Sequence, residues 1–552
     1  NGSAADTSSS KMRYRSGRRR RIFWLLSAYV GYYILQNFGD LTFFIEAVMS
    51  LPETSGISQQ KKISWPWEWD GKAPRLPKID EDTTGTVANP VYRLQVRGTT
   101  DYDLAYEIYQ PDGTTDHLSA SVRRNIGLIR LSGDDRNDRD LRLIQGSALD
   151  RLLSDKTLRA RLGNRLGSSD VENELKDNAK INLKTLDEAF KKQDLPTGLG
   201  LGLTGGQGLS LNALIGLTAT LSDVKLPLAN WGAGTRRLAA LEIAATHQGE
   251  NPITLVDEVE RGLEPYRQRI LVDGLYARGS QVFITTHSTA VLSAASNATI
   301  WYLDSARVIG RLPASAASHL KHDPETFLAR LAIIAEGATE VGFLRYLLHR
   351  AIGNDPLNNG IWITDGGGNE KTLELLSGLV GSGLKFGGFV DNEGCNLNKW
   401  EAIRKKVGSL LFQWPTGCLE ENIIKLVPPE NLENFIKDTD GVSGVRLRTL
   451  ADRLGMVEKE FPSIIKNAKD LTKLIIEAAT GTIPEDKQDA DRGDKKELKK
   501  HAERWFKSIE GGRELAEKVF TFNLWPKLEN QLMPFINAIR LAVSLPPINK
   551  IR

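Results

Sequence analysis

Leu331–Glu340, LAIIAEGATE, is the stretch that decides the reading of this chain. Five apolar residues are too few for a buried helix and suit a strand covered on both faces. The strand ends at Glu336; Gly337 breaks it, and the apolar spacing that follows predicts a helix over Val341 to Leu348. With Glu336 at the strand edge and Glu340 in the first helical turn, both carboxylates reach one metal centre. The pattern then recurs. Gly360 to Thr364 reads as a strand that runs into Asp365-Gly366-Gly367-Gly368. Lys385 to Val390 reads as another, leading into Asp391-Asn392-Glu393. This alternation, from Leu331 to about Leu426, predicts a parallel sheet covered by helices.

Acids at i and i+2 beyond a strand end can converge on a metal where the chain leaves the sheet. Hard divalent cations such as Mg2+ or Mn2+ take oxygen ligands, at about 2.1 Å for magnesium. Two of them about 4 Å apart clamp the attacking and leaving oxygens of a phosphodiester. These segments resemble the TOPRIM fold of topoisomerases, primases and several nucleases: a strand, a catalytic Glu followed by Gly, then an acidic D-x-D after a later strand. Here Glu393 replaces the second Asp and keeps its charge. The resemblance implies catalytic roles for Glu336 and Asp391, and a ligand set that includes Glu340 and Glu393.

A second constellation lies upstream. Asn230-Trp231-Gly232-Ala233-Gly234-Thr235-Arg236-Arg237 opens a helix, and glycines such as Gly232 and Gly234 let backbone approach a phosphate at a helix N-terminus. Ile253 to Val256 is an apolar strand ending in Asp257-Glu258, where the Asp would hold magnesium and the Glu polarise the attacking water. Val282 to Thr285 is a strand running to His287, about 30 residues later, a side chain suited to a terminal phosphate. In this order the three segments, with Val259 to Pro265 as a D-loop, resemble the ABC ATPase pattern. The resemblance implies an ATP site at Gly232, Gly234, Asp257, Glu258 and His287.

No G-x-x-x-x-G-K-[ST] phosphate loop occurs in the sequence; the one Gly-Lys pair, Gly71-Lys72, is followed by Ala73. Asn1-Gly2-Ser3 matches the triplet that precedes Gly-Lys-Thr in many ABC-type loops, so the chain is expected to begin within a truncated or degenerate loop or with a disordered end. ATP is the nucleotide such a head would take, and its hydrolysis is left open.

The 552 residues exceed one hydrophobic core and imply two to four domains. A net charge of only +3 means that any nucleic-acid surface must come from local clustering. Cys395 and Cys418 cannot staple a chain this long, which points to a reducing, cytoplasmic setting. Residues 11–21 are basic and Ile22 to Leu35 apolar, but about 14 apolar residues fall short of the roughly 20 a membrane span needs. A buried helix behind a basic arm is expected, with no membrane partner. Residues 52–90, rich in proline and charge, read as loops. Residues 148–192 read as an exposed helical arm or dimer contact, and the mixed charges of 485–507 as a solvated helix face.

An ABC-type head N-terminal to a TOPRIM domain resembles the OLD (overcoming lysogenisation defect) family, which includes the nuclease subunit of the Gabija anti-phage system. The likeness covers about 91 to 540. In that family the TOPRIM part cleaves DNA with two metals, and a later acid and a lysine join the site. Cys418 to Ile424 matches the acidic segment, so Glu420 or Glu421 is the candidate ligand, and Lys507 looks like the lysine. A lysine there would offset charge building on the phosphate.

The fold expected is α/β: an ABC-ATPase-like head with a helical dimerisation arm, followed by a TOPRIM α/β domain and C-terminal helices. The divisions expected are 1–50, a basic arm and apolar helix with a phosphate-loop remnant; 51–147, the first part of the head; 148–200, the arm; 201–327, the rest of the head; 328–430, the TOPRIM core; and 431–552, its helical extension. The function implied is a metal-dependent endonuclease regulated by the head, in anti-phage defence. DNA is the first choice among nucleic acids, the chain a homodimer or tetramer, and a helicase or other defence protein the partner. Two alternatives stand beside it: a non-catalytic DNA-binding regulator with a metal-binding TOPRIM domain, and a topoisomerase, for which no tyrosine domain is evident.

Overall fold

In Pro90–Gly98 (PVYRLQVRG), apolar residues fall on both sides of an extended segment: Val91 and Leu94, three positions apart, are buried on opposite faces. In the computed structural model this segment is the centre of an antiparallel sheet. The structure describes residues 43–51, 53–57, 66–77, 87, 89–98, 104–125, 128–131, 140–144, 147–153, 158, 175–193, 195–203, 215–221, 224–246, 253–277, 281–295, 297–303, 309–437, 444–489 and 491–551. The helix expected over Ile22 to Leu35 and the Asn1-Gly2-Ser3 triplet lie outside them. The chain divides into two units between Val291 and Leu292.

In the first unit, β1 (Phe43–Met49), β2 (Trp67–Trp69), β3 (Pro74–Arg75), β4 (Pro90–Gly98), β5 (Leu104–Tyr109) and β6 (Thr115–His117) form the sheet β3-β2-β4-β5-β6, with β1 also on β4. Leu94 and Ile108 pack there with Ile57, Leu118 and Val122. Two expectations are corrected: β1 is a strand within the segment read as arm and helix, and β2 and β3 are strands within the segment read as loops. Tryptophan and the cation–aromatic stack of Arg93 over Trp67 and Tyr109, at 4.7 Å from each ring, hold these short strands where periodicity gives no signal.

The same unit carries β7 (Leu128–Leu131), β8 (Gly200–Leu203), β9 (Ile215–Leu221), β10 (Val224–Pro227), β11 (Ile253–Val256) and β12 (Gln281–Ile284). β10-β9-β8 is antiparallel, and β12-β11-β7 is parallel. The Asp177–Lys192 helix corrects the reading of a free dimerisation arm. Its stripe Ala179, Leu183, Leu186 and Phe190 is buried, and both it and Ala148–Leu153 pack on the Ala233–Thr246 helix. An i, i+4, i+7, i+11 stripe predicts burial without naming what covers it.

The second unit begins with the hairpin β13 (Trp301–Leu303) and β14 (Ile309–Arg311). Its main sheet has four parallel strands: β15 (Leu331–Ala335), β16 (Ile361–Asp365), β17 (Phe386–Val390) and β18 (Leu411–Gln413), in the order β16-β15-β17-β18. β15 is buried throughout. Leu331, Ile333 and Ala335 enter a core built with the C-terminal helices; Ala332 and Ile334 enter one on the opposite face with Leu373, Leu376 and Leu379. From Leu419 onward the described chain is helical, ending in Ile509–Thr521 and Trp525–Ala542. The charged Arg492–Lys500 helix is exposed except at the half-buried Lys495 and the buried Leu498, as a solvated face requires.

One crossing is close. A Cβ on Gly342 would stand 1.8 Å from Ile509 O, and one on Gly512 1.9 Å from Thr339 O, so Ala338–Ile352 and Ile509–Thr521 meet backbone to backbone.

Candidate active sites

β15 connects to β16 on one side while β17 lies on its other side, so the carboxyl ends of β15 and β17 flank a topological switch point, where open α/β sheets bind ligands. Glu336 and Asp391 occupy it. Glu336 Oε2 accepts from Asp391 N and from Asn369 Nδ2, both at 3.0 Å. Asp391 Oδ1 accepts from Leu419 N, also at 3.0 Å, which ties β17 to the start of the Leu419–Ile424 helix.

Glu340 lies in the first turn of Ala338–Ile352, and Glu420 in the first turn of Leu419–Ile424. Both are buried. Lys507 Nζ stands 3.0 Å from Glu420 Oε1, yet neither oxygen of the fully buried Glu420 receives an aligned hydrogen bond. Lys507 is positioned by its neighbour, because Thr339 Oγ1 donates to Phe506 O at 2.9 Å.

The electrostatics follow from crowding. Burial pushes Glu336 above the ordinary carboxylate range, with an added push from Glu393. Burial raises Glu340 too, with Glu420 next. Asp391 is raised by burial, then by Glu340, Glu336 and Glu420. Burial alone would lower Lys507, but Glu420 and Glu340 hold it above the usual lysine value. Carboxylates sharing a desolvated site with one ammonium either take up protons or accept a further cation.

The donor atoms are all oxygens, the chemistry a hard divalent cation takes; Glu420 Oε1 is engaged by Lys507, and Oε2 has no hydrogen-bond partner. Among the described residues no group of three or more His, Cys, Asp or Glu is placed so that it could hold a metal ion. Glu336 and Asp391 instead spend oxygens on neighbouring donors. Of the two adjacent candidates, Glu420 faces this cluster, whereas Glu421 pairs with Lys425 at 2.5 Å and is partly exposed. Glu393 is exposed at the rim.

In the first unit, Asp257 Oδ1 accepts from Thr285 Oγ1 at 2.7 Å, and that hydroxyl accepts from Glu258 N at 2.9 Å. Glu258 has φ +48, a left-handed conformation uncommon for a non-glycine residue. Glu260 binds the next strand's exit, accepting from Thr286 Oγ1 at 2.7 Å and His287 N at 2.8 Å. His287 is exposed, as is Gly232, which has open space around it.

Gly234 corrects the reading of a phosphate-approach glycine: a Cβ there would lie 2.1 Å from Gly262 O, so its bareness lets the helix start pack on the turn after Glu258. Buried Arg237 reinforces that packing, donating to Asp257 O and, at 3.2 Å, to Arg261 O. Burial lowers its guanidinium below the usual value, partly countered by Glu260.

Residues 107–293 match the family model described as "AAA domain, putative AbiEii toxin, Type IV TA system". This part of the chain is an AAA-type ATPase domain. Two solved structures are similar to the chain. A crystal structure of the SmcHead bound to the C-winged helix domain of ScpA shares 17% identity over 38% of this chain and 64% of that one, with a TM-score of 0.26. The Smc head domain with an extended coiled coil, bound to the C-terminal domain of ScpA derived from Pyrococcus furiosus, shares 14% over 40% and 69%, with a TM-score of 0.23. The chain thus spans less than two thirds of the first head's length. No curated protein matches. Among the described residues, no helix is long and apolar enough to cross a membrane.

Inside the ATPase domain, the sequence reading missed Arg237, Glu260 and Thr285 as the residues that fix Asp257, Glu258 and His287. The signal was the third acid of Asp257-Glu258-Val259-Glu260, which an acidic-strand motif leaves unexplained. In the second unit it missed Asn369, directly after three glycines, and Thr339, inside the opening motif.

Proposed function

We propose that the second unit is a TOPRIM-type, metal-dependent endonuclease and that the ATPase domain regulates it, as the resemblance to the OLD family implies. The observation that carries this reading is the clustering of the buried Glu336, Glu340, Asp391 and Glu420 at the switch point, with Lys507 Nζ 3.0 Å from Glu420 Oε1. Mg2+ or Mn2+ would be held by these four carboxylates, with Glu393 at the rim. Bound there, the metal would supply a nucleophile at neutral pH and charge neutralisation at the phosphate. Lys507 would bind a non-bridging phosphate oxygen. Asn369 and the Asp391 amide hold Glu336 in place, and the Leu419 amide holds Asp391.

The ATPase domain is read as a nucleotide-responsive head that pairs with a second copy, with Asp257, Glu258 and His287 on the nucleotide. Its role in anti-phage defence, beside a helicase or another defence protein, belongs to the same proposal. The domain divisions at 328 and 431 are offered as the limits of the TOPRIM core. A regulator that binds DNA without cutting is the second reading; the absence of a closed ligand set among the described residues favours it.

Plasmid cleavage with Mg2+ or Mn2+, with and without ATP, separates them. Metal-dependent cutting lost in Asp391→Ala, with DNA binding retained, supports the nuclease. Equal cutting by that variant would remove the site assignment, and a wild-type protein that binds DNA but never cuts favours the regulator.

A further inference from the structure

We propose that the open groove between the Leu397–Val407 helix, β18 and the Trp525–Ala542 helix is the track along which the phosphate backbone of a nucleic acid reaches the carboxylate cluster. This rests on the endonuclease reading and names the surface that the substrate would use. The groove has a volume of about 430 Å³. Arg404, Ser409, Gln413 and Gln531 give it polar walls, and Pro415 and Pro534 present exposed rings. β18 is the edge of the parallel sheet, so the groove runs along the side of the sheet nearest Asp391's strand.

Charge identifies the occupant. The last turn of Leu397–Val407 carries Arg404, Lys405 and Lys406, all exposed. The facing carboxylate on the same helix is Glu401, whose Oε2 is 4.0 Å from Arg404 Nε and mostly in solvent. Arg404 lines the groove and Lys405 and Lys406 follow it in the same turn; cations at the edge of an open groove suit a repeating polyanion better than a small enclosed ligand. In a chain with a net charge of only +3, this is a local concentration of the kind a nucleic-acid surface requires.

Continuity with the carboxylates supplies the second argument. Arg404 Nη2 donates to Gln413 Oε1 at 3.3 Å, and Gln413 Nε2 donates to Asp391 O at 3.2 Å. Next along the wall, Pro415 O accepts from Asn392 Nδ2 at 2.7 Å. The groove wall is therefore the outer side of the loops that hold Asp391, and a strand lying in it passes directly to the switch point. Cations in this position would meet phosphates rather than base edges, so binding is expected to be independent of base sequence.

The test is binding of a fluorescein-labelled DNA duplex and single strand, with Ca2+ in place of the catalytic metal, read by anisotropy across a salt series. The triple charge reversal R404E/K405E/K406E is expected to weaken binding at least tenfold. It should also flatten the log K against log salt slope by about 2 to 3, near 0.9 per lost duplex phosphate contact. Single alanine variants at the three positions, which preserve the helix, are each expected to flatten it by about 1. Hydrolysis of bis(p-nitrophenyl) phosphate, which has no strand to lay in the groove, is measured on the wild type as a readout of the carboxylate cluster alone. Wild-type affinity and slope in the triple variant would overturn the track, as would absence of DNA binding by the wild type. Wild-type binding that depends on these cations, without metal-dependent hydrolysis of either substrate, would retain the track and remove the endonuclease reading.

Discussion

Gly512→Ala adds one methyl group at the crossing of Ile509–Thr521 and Ala338–Ile352. In an unobstructed helix interior that change stabilises by about 1 kcal/mol. Here the new Cβ would stand 1.9 Å from Thr339 O, a backbone atom that cannot rotate aside. Relieving the contact to 3.0 Å, below which Cβ atoms are essentially never found, requires a shift of about 1.1 Å. Overpacking of this kind costs about 1–3 kcal/mol, and a backbone obstacle belongs at the upper end. The clash therefore wins, by about 2 kcal/mol net, which lowers the unfolding midpoint of a unit this size by about 4–8 °C.

The same shift reaches the site. The Thr339 to Phe506 hydrogen bond crosses this contact, and Lys507 follows Phe506. A displacement near 1 Å of a positioned group can cost about a hundredfold in rate. The assay is thermal unfolding by circular dichroism, paired with metal-dependent cleavage measured well below the variant's midpoint. An unchanged or raised midpoint would refute the packing argument. A lowered midpoint with full cleavage would refute the link from the crossing to Lys507.

Two further outcomes follow from buried charge. Glu336, Glu340 and Asp391 are raised on folding, so they hold protons that the unfolded chain has already released. Their contribution is fully present below the unfolded carboxylate range near pH 4 and is lost as pH rises through the folded values. With a chelator present, the unfolding midpoint should therefore fall from pH 5 towards pH 8, on the scale of about 1.4 kcal/mol per unit of raised pKa; magnesium should remove that slope, and a midpoint that rises with pH in the chelator would sink the account. Glu514→Gln acts elsewhere in the second unit: Arg446 donates to both Glu514 oxygens at 2.7 Å, and both side chains are buried. Leaving the guanidinium opposite a neutral amide should cost about 3–5 kcal/mol in urea unfolding, and a change under about 1 kcal/mol would show the pair to be hydrated.

Local elements follow from the residues alone. Leu331–Ala335 is a strand because five apolar residues must be covered on both faces, and Gly337 ends it wherever the chain is placed. Glu336, Asp391 and Asp257 follow apolar strands closely enough that strand geometry alone puts them at a sheet edge. Tertiary structure decided which neighbours share a site. Glu420 and Glu421 are consecutive in one helical turn and point in different directions, so only packing selects Glu420 for the cluster and leaves Glu421 to Lys425. Lys507 joins from 87 positions beyond Glu420 because Gly342, Gly512 and Thr339 hold its segment against the first helix. Gly234 carries the signal of a phosphate-binding glycine but serves the close approach of Gly262. The buried face of Asp177–Lys192 likewise has its partner in a helix more than forty residues away. Periodicity and turn chemistry act over a few residues, whereas the partner of a face or charge is set by contacts between segments whose separation in sequence carries no local mark.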